Sequence, residues 1–217
     1  MKSIKNNNNK IFLHQNDLAD NLETGDIISI DTETTGLSLQ RDRLCLIQLC
    51  LQNKDCHIIK LDQRDNSRAS KPQNLIKILS NSKVEKVFHF ARFDTAFIKK
   101  EFEISCENIF CTKISSRLVR TYTDRHGLKD LIRDLLEIDI SKSQQSTDWA
   151  ANELTNNQIL YAAKDVLYLQ ELRNKLIIML RREGRLELAK KIFNFLDIRT
   201  ELDILGWQKE DIYSHSI

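Results

Sequence analysis

The stretch that most constrains this chain is residues 26–34, DIISIDTET, an apolar segment that ends in two carboxylates. Ile28 and Ile30 alternate with polar residues at the period of two that is typical of a β-strand, so Asp31 and Glu33 project from one face. Two converging acids repel each other and resist ionising together unless a cation lies between them. The pattern also fits a polar strand end that enters a turn, so a metal site requires further ligands elsewhere.

Two other acids lie where such ligands are needed. Asp94 follows an apolar segment and precedes a helical pattern, which predicts a position at a strand–helix junction, or simply a helix N-cap. Asp165 comes four residues after Tyr161, so both share one helix face, although a surface aspartate beside a tyrosine fits as well. Together with Asp31 and Glu33 they provide four carboxylate groups, which are hard oxygen donors, and the set contains no sulfur ligand. This set suits Mg²⁺ or Mn²⁺ and is large enough for two ions.

Composition narrows the class of protein. A chain of 217 residues is long enough for one sizeable α/β domain and short for two. The net charge of +2 excludes a global basic field that would bind long nucleic acid irrespective of sequence, and favours a small anionic substrate or a local basic patch. The five cysteines show no Cys-x-x-Cys spacing and predict reduced thiols. With no signal-peptide pattern and no membrane-length apolar run, we predict a cytoplasmic protein without a membrane partner.

The order of elements predicts one domain with strands early and helices late. Residues 1–10 include four consecutive asparagines and are predicted to be a disordered tail, and residues 11–217 form the domain. The apolar segments 44–51 and 56–61 are joined by so short a connection that they are expected to be antiparallel neighbours in a mixed sheet. Residues 62–72, which contain the only proline, are predicted to be an exposed loop.

Helical periodicity is strongest in the second half of the chain. A short helix is predicted earlier, at residues 17–22. Thr155 and Gln158 match a capping box that opens a long helix, which is expected to run to Gly184. A last amphipathic helix is predicted at about residues 186–206.

Three segments, in order, carry a resemblance to a known family. Asp31-Thr32-Glu33, the hexapeptide HFARFD at 89–94 and the pentapeptide YAAKD at 161–165 resemble the three exonuclease motifs of the DEDD superfamily, in its tyrosine-bearing branch related to ribonuclease D. Further stretches are similar to the nano-RNase C family of that branch: residues 41–45, 110–114, 121–129, 141–151 and 201–207. Three motifs in the right order are far more specific than any one alone.

This resemblance implies a ribonuclease H-like α/β fold, with a mixed five-stranded sheet flanked by helices, and a metal-dependent 3′-5′ exoribonuclease. Its substrates would be very short RNAs, chiefly dinucleotides, hydrolysed to 5′-mononucleotides. The catalytic set would be Asp31, Glu33, Asp94 and Asp165, holding two Mg²⁺ or Mn²⁺ ions, and Tyr161. A phenol with its usual pKa near 10 is a poor base at neutral pH, so Tyr161 is expected to orient the attacking water.

Substrate contacts are also expected. Thr32 lies between the two strand acids, and Leu37 is positioned to wedge between two bases, as a leucine does in similar enzymes, or to make a turn contact. His89 fits a substrate contact or a satisfied core histidine, and Trp149 fits base stacking or burial. Four further residues are candidates to bind a free 5′ end of the substrate: Tyr122, Arg125, His126 and Lys129. The same residues also fit an ordinary solvated loop followed by a first helical turn.

The C-terminal residues 193–217 are unusually apolar for a terminal segment. They either cap the core or make subunit contacts, and the resemblance implies a homo-octamer. Two rival functions remain: a general 3′-5′ exonuclease on longer RNA or DNA, and a non-catalytic nucleic-acid-binding module. A substrate that touches many phosphates would bind with a steep salt dependence, and a dinucleotide with a shallow one.

Overall fold

The computed structural model describes residues 2–6, 9–62, 71–140 and 148–215. Within these residues, a seven-stranded sheet of order β1-β2-β5-β4-β3-β6-β7 is accompanied by seven helices. The strands are β1 Lys2–Asn6, β2 Asn9–Gln15, β3 Ile27–Thr34, β4 Leu44–Cys50, β5 Cys56–Lys60, β6 Glu85–Phe88 and β7 Ile109–Cys111. The helices are α1 Gln73–Leu79, α2 Ala91–Phe102, α3 Thr112–Val119, α4 Leu128–Leu136, α5 Asn156–Leu167, α6 Leu169–Arg182 and α7 Leu186–Ile204.

The sheet is mixed, as predicted. Strand β4 pairs antiparallel with both β3 and β5, whereas β3, β6 and β7 run parallel. All seven residues of β4 are buried, because helices cover both faces of the sheet. The predicted α/β class with a mixed sheet flanked by helices is confirmed. The resemblance implied five strands, whereas the sheet in the described residues has seven, with β1 and β2 at the β5 edge.

Residues 2–6 and 9–10, within the segment predicted to be a disordered tail, lie in paired strands. Strand β1 pairs antiparallel with β2, which pairs parallel with β5. Backbone groups of an edge strand bond to the neighbouring strand whatever the side chains are, so a polar, low-complexity sequence does not exclude pairing. Most of the loop predicted at residues 62–72 lies outside the described residues.

The short helix predicted at residues 17–22 is absent, and that segment is irregular. The Asp17 carboxylate instead accepts hydrogen bonds from the backbone N–H groups of Asn74 and Leu75, both at 3.0 Å. These N–H groups belong to the first turn of α1, whose own N-cap, Pro72, offers no side-chain acceptor. Asp17 therefore caps a helix that is distant in sequence.

The long helix predicted from Thr155 to Gly184 is two helices, which meet at Tyr168. Its capping box is confirmed: Thr155 Oγ1 accepts from the Gln158 backbone N–H at 3.2 Å, and Gln158 Oε1 accepts from that of Thr155 at 2.9 Å. The break lies beside Leu167, whose carbonyl accepts a hydrogen bond from Lys54 Nζ at 3.2 Å. The two helices consequently cover different strands: α5 packs on β3, β4 and β5, and α6 on β3 and β6.

The remaining helices position the ends of the parallel strands. Helix α2 begins at Ala91 and its N-cap is Phe90, so Asp94 lies in the first turn and not at the N-cap. It packs against α7, which is the last helix and begins where predicted. Of the helices in the described residues, none combines the length and apolar character needed to span a bilayer.

Candidate active site

Three carboxylates meet at the end of β3. Asp31 and Glu33 project from one face of the strand, and α5 covers that face and carries Asp165. Each of the three offers an oxygen atom, and these atoms all lie within 4.8 Å of one another. The acids predicted to converge from the first and third motifs therefore do so.

The fourth acid, Asp94, lies next to this group and is held differently. Its carboxylate is 3% exposed and accepts a hydrogen bond from Thr32 Oγ1 at 2.6 Å. Thr32 points to the face of β3 opposite to that of its two acidic neighbours, so Asp94 approaches the strand end from the α2 side. The charge of Asp94 raises the pKa of both Asp31 and Glu33, which places it beside them electrostatically.

Burial and mutual repulsion make the acids hard to ionise. Burial, followed by the charges of the neighbouring acids, raises the pKa of Asp31 well above its usual range and that of Glu33 to about 8. Burial also raises the pKa values of Asp94 and Asp165 to about 7. Carboxylates that resist ionisation together are stabilised by a cation between them. Oxygen donors alone, without Cys or His, suit Mg²⁺ or Mn²⁺ better than zinc.

Tyr161 lies one helical turn before Asp165 and is within hydrogen-bonding reach of it. Burial and then the charges of Asp165, Glu33 and Asp31 raise the pKa of the Tyr161 phenol above its usual value. The phenol therefore stays protonated at neutral pH, and it can donate a hydrogen bond but not act as a general base. This agrees with the expected role in orienting a water molecule.

Trp149 is buried behind Tyr161. Its side chain is 5% exposed, and the two ring centroids are 6.1 Å apart. A buried ring offers little surface for a base to stack on, so the structure favours the alternative of a core tryptophan. The Trp149 ring therefore packs near the Tyr161 ring from within the core.

His89 follows the end of β6 and is satisfied within the protein. Its Nδ1 lies 2.9 Å from Thr112 Oγ1, which itself donates to the carbonyl of Phe88 at 3.1 Å. The Thr112 hydroxyl thus accepts from Nδ1–H, which leaves Nε2 as the acceptor nitrogen. Burial, followed by the charge of Lys113, lowers the pKa of His89 to about 3, so the ring is neutral.

Two residues that were not among the predicted substrate contacts lie at the same edge of the sheet. Phe90 has a left-handed backbone (φ 73°), is 40% exposed, and lies with its ring 4.4 Å from Lys113 Nζ. They follow β6 and β7, which run parallel to β3, so both lie at the carboxyl ends of the strands, where ligands of α/β proteins bind. Both belong to stretches that carry the family resemblance, but their proximity depends on the pairing of β6 with β7 and could not be predicted from local patterns.

The predicted substrate contacts differ in exposure. Leu37 is 77% exposed and Tyr122 is 75% exposed, so both side chains are open to a ligand. Arg125 is also exposed, whereas His126 is half-buried with Nδ1 at 2.8 Å from Ser116 Oγ. Lys129 Nζ lies 3.9 Å from Asp139. Tyr122, Arg125, His126 and Lys129 lie in the loop before α4 and in the first turn of that helix. Their role in substrate binding stays a prediction.

Comparisons with known proteins agree on one family. A family model described as a 3′-5′ exonuclease matches residues 13–181. Ribonuclease D of Gluconacetobacter diazotrophicus is 32% identical over 160 residues, which are 74% of this chain and 39% of that protein. Three such ribonuclease D relatives are matched over 39% to 42% of their length, so the chain spans about two fifths of these curated relatives.

Solved structures match over nearly the whole chain. The structure of Brucella melitensis NrnC bound to pGG is 45% identical, with a TM-score of 0.88 and coverage of 95% of this chain and 98% of that one. The structure of Brucella melitensis NrnC with bound Mg²⁺ is 44% identical, with a TM-score of 0.87 and coverage of 95% and 99%. The similarity therefore includes the strand, junction and helix that carry the four acids.

Proposed function

The chain belongs to the ribonuclease D-like 3′-5′ exonuclease family, in its nano-RNase C group, and from this premise we propose that it hydrolyses very short RNAs, chiefly dinucleotides, to 5′-mononucleotides. The observation that carries the proposal is the convergence of Asp31, Glu33 and Asp165 within 4.8 Å, with Asp94 beside them. The similarity to a protein solved with pGG supports a dinucleotide as the substrate.

In the proposed reaction, two divalent ions, Mg²⁺ or Mn²⁺, would supply Lewis acidity at the scissile phosphate and would lower the pKa of the attacking water. The four acids, Asp31, Glu33, Asp94 and Asp165, would hold these ions. Tyr161 donates a hydrogen bond that orients the attacking water. Because the four carboxyl groups have raised pKa values, they must lose protons as the ions bind.

We also propose which side chains select for substrate length. The Leu37 side chain would separate the two bases of a dinucleotide, which its 77% exposure supports. Hydrogen-bonding and cationic groups would bind the free 5′ end and exclude a third nucleotide; the candidates are Tyr122, Arg125, His126 and Lys129. Thr32 would act on substrate only indirectly, through Asp94.

Self-association and location complete the proposal. We propose a homo-octamer that uses the exposed apolar side chains of the C-terminal segment, among them Leu205, 63% exposed, and Trp207, 41% exposed.

We further propose that the protein is located in the cytoplasm. All five cysteines are buried and none forms a disulfide, which supports a reducing compartment.

The test is product analysis with 5′-labelled RNAs of two, three, five and twenty nucleotides, in Mg²⁺, in Mn²⁺ and with a chelator. We expect rapid, metal-dependent cleavage of the two-mer, with the longer chains nearly untouched. A ladder that descends from the twenty-mer would replace the proposal with a general exonuclease. Absence of cleavage at every length would favour the non-catalytic binding module.

A further inference from the structure

Gln48 is an unexplained polar residue in the middle of the sheet. It lies in β4 with an exposed fraction of 0%, and neither its Nε2 nor its Oε1 has a hydrogen-bond partner among the described residues. Ser29 in β3 is also fully buried, and its Oγ has no partner either. Buried polar atoms are nearly always paired in folded proteins, because an unpaired one has lost its water without compensation. Two such residues close together therefore require an explanation.

Both residues lie beside the candidate metal ligands. In the antiparallel pairing of β3 with β4, Gln48 is directly opposite Asp31. Side chains of opposite residues point to the same face, with Cβ atoms about 4.5–5.5 Å apart. Ser29 is two residues before Asp31 and so lies on that face as well, diagonally across from Gln48. Helix α5, which carries Asp165, covers this face.

The donors and acceptors of the three side chains complement one another. Gln48 Nε2 is a donor, and the Asp31 carboxylate has oxygens that accept. Gln48 Oε1 is an acceptor, and the Ser29 hydroxyl has a proton to donate. One chain of hydrogen bonds, from Ser29 to Gln48 to Asp31, would satisfy all three of the unpaired atoms. An apolar residue at position 48 would avoid the penalty altogether, so the amide is better explained by its neighbour than by packing.

We propose that Gln48 is a positioning residue for Asp31: its amide donates to the carboxylate and fixes the oxygen that faces the metal ions, while Ser29 fixes the amide. The inference rests on the proposed function, because it assigns Asp31 to metal binding. Groups that hydrogen-bond to metal ligands set the orientation of those ligands, and their loss weakens metal affinity about 10-fold to 100-fold.

The test compares Gln48→Met with the unaltered chain. Mn²⁺ affinity is measured by electron paramagnetic resonance, and the melting temperature is measured on metal-free protein. We expect Mn²⁺ affinity to fall about 10-fold to 100-fold. The metal-free melting temperature reports whether the variant folds, since methionine is close to glutamine in size and leaves no large cavity.

Gln170→Met is the matched control. Gln170 belongs to α6, and its Nε2 donates to the Cys50 carbonyl at 3.0 Å, so its amide is already paired. Its replacement should lower the melting temperature without changing Mn²⁺ affinity. If Gln48→Met behaves like this control, or keeps the Mn²⁺ affinity of the unaltered chain, the inference is wrong.

Two further measurements distinguish a failure of the role assigned to Gln48 from a failure of the proposed function. Ser29→Ala removes the other end of the same chain of hydrogen bonds and substitutes for Gln48→Met if that variant fails to fold; unchanged Mn²⁺ affinity in Ser29→Ala would overturn the proposal. Cleavage of a dinucleotide by the unaltered chain is measured in parallel. If the unaltered chain neither binds Mn²⁺ nor cleaves, the proposed function fails; if it does both and the variants match it, only the role of Gln48 fails.

Discussion

At the scale of the residue, the acids at the end of β3 oppose folding when no cation is bound. Asp165→Asn removes one of the buried, mutually repelling carboxyl groups and keeps its shape. We expect turnover of a dinucleotide to fall on the order of 10³-fold or more, because a carboxylate proposed to hold the metal ions is lost. The metal-free melting temperature should be equal to or above that of the unaltered chain. Substantial activity in a folded variant would contradict the two-metal mechanism.

The raised pKa values predict an unusual dependence of stability on pH. Folded-state pKa values of about 8 for Glu33 and about 7 for Asp94 and Asp165 mean that the metal-free folded chain holds protons that the unfolded chain releases. Their stabilising contribution is complete below the unfolded pKa of about 4 and is lost as pH rises towards about 8. The melting temperature of metal-free protein should therefore fall between about pH 5 and pH 8.

Added Mn²⁺ should reverse this trend, because the ionised acids are its proposed ligands and affinity for such ligands rises with pH. Differential scanning fluorimetry across this range, with and without Mn²⁺, provides the measurement. The Asp165→Asn variant serves as control and should show a shallower slope. A melting temperature that is independent of pH in metal-free protein would mean that these acids ionise normally.

Much of the site could be predicted from the sequence, for local reasons. Asp31 and Glu33 share a face because side chains alternate along a strand, and Tyr161 and Asp165 share one because helical residues four apart are stacked. The bond from Thr32 to Asp94 and the position of Gln48 opposite Asp31 could not be predicted. Both depend on which strands pair and in what register, and a single sequence does not encode those distances locally.

At the scale of the element, α5 determines whether the site is complete, and its first turn depends on the capping box. Thr155→Ala removes an acceptor for the Gln158 backbone N–H and should lower the free energy of unfolding by about 1 kcal/mol. Urea denaturation is the measurement. The control is Thr121→Ala, at an exposed position, which should change stability little. Equal effects of the two substitutions would show that the cap is not important for α5.

Helices α2 and α7 are joined by two partly exposed arginines that bind one buried carboxylate. Asp203, 2% exposed, accepts from Arg92 at 2.6 and 2.7 Å and from Arg199 at 2.6 and 3.1 Å. Asp203→Ala leaves two guanidinium groups without their carboxylate and should cost about 3 kcal/mol or more of unfolding free energy, as judged by urea denaturation. Arg92 is two residues from Asp94, so dinucleotide cleavage should fall as well.

The exposed pair of Glu187 and Lys190 on the same helix α7 provides the control. Glu187→Ala should have little effect on either stability or cleavage, because solvent screens an exposed pair. If Asp203→Ala were as mild as Glu187→Ala, the ion pairs of Asp203 would not be what fastens α7 to α2.

Element boundaries show where local sequence rules stop. Periodicity predicted α5 and α6 as one helix, because the apolar stripe continues through Tyr168. The break coincides with Lys54, which comes from the turn between β4 and β5 and bonds to the Leu167 carbonyl. The cap that Asp17 supplies to α1 is also a tertiary contact. Helix-forming patterns are local, whereas these ends are decided by partners far along the chain.

At the scale of the whole molecule, the C-terminal segment divides into two parts. Phe193 and Leu196 are buried in the core, as the capping alternative required, whereas Ile198 and Leu205 are 53% and 63% exposed. Leu205→Glu should dissociate the proposed octamer, because it places a charge in a subunit contact. Native mass spectrometry is the measurement.

Ile178→Glu is a control on α6 with the same exposed fraction, 63%. It should leave the assembly intact. A monomeric unaltered chain would contradict the octamer, and an octameric Leu205→Glu variant would contradict the choice of surface.

The separation of Asp31 and Asp165 along the chain also determines when the site appears during folding. Strand β3 and helix α5 are contributed by the first and last thirds of the chain, and closing so long a loop is entropically slow compared with local helix formation. The cluster of carboxylates at the end of β3 exists only after α5 has docked on the sheet. A refolding chain should thus regain its helical signal early and its ability to cleave late, so an incompletely folded chain carries no hydrolytic activity.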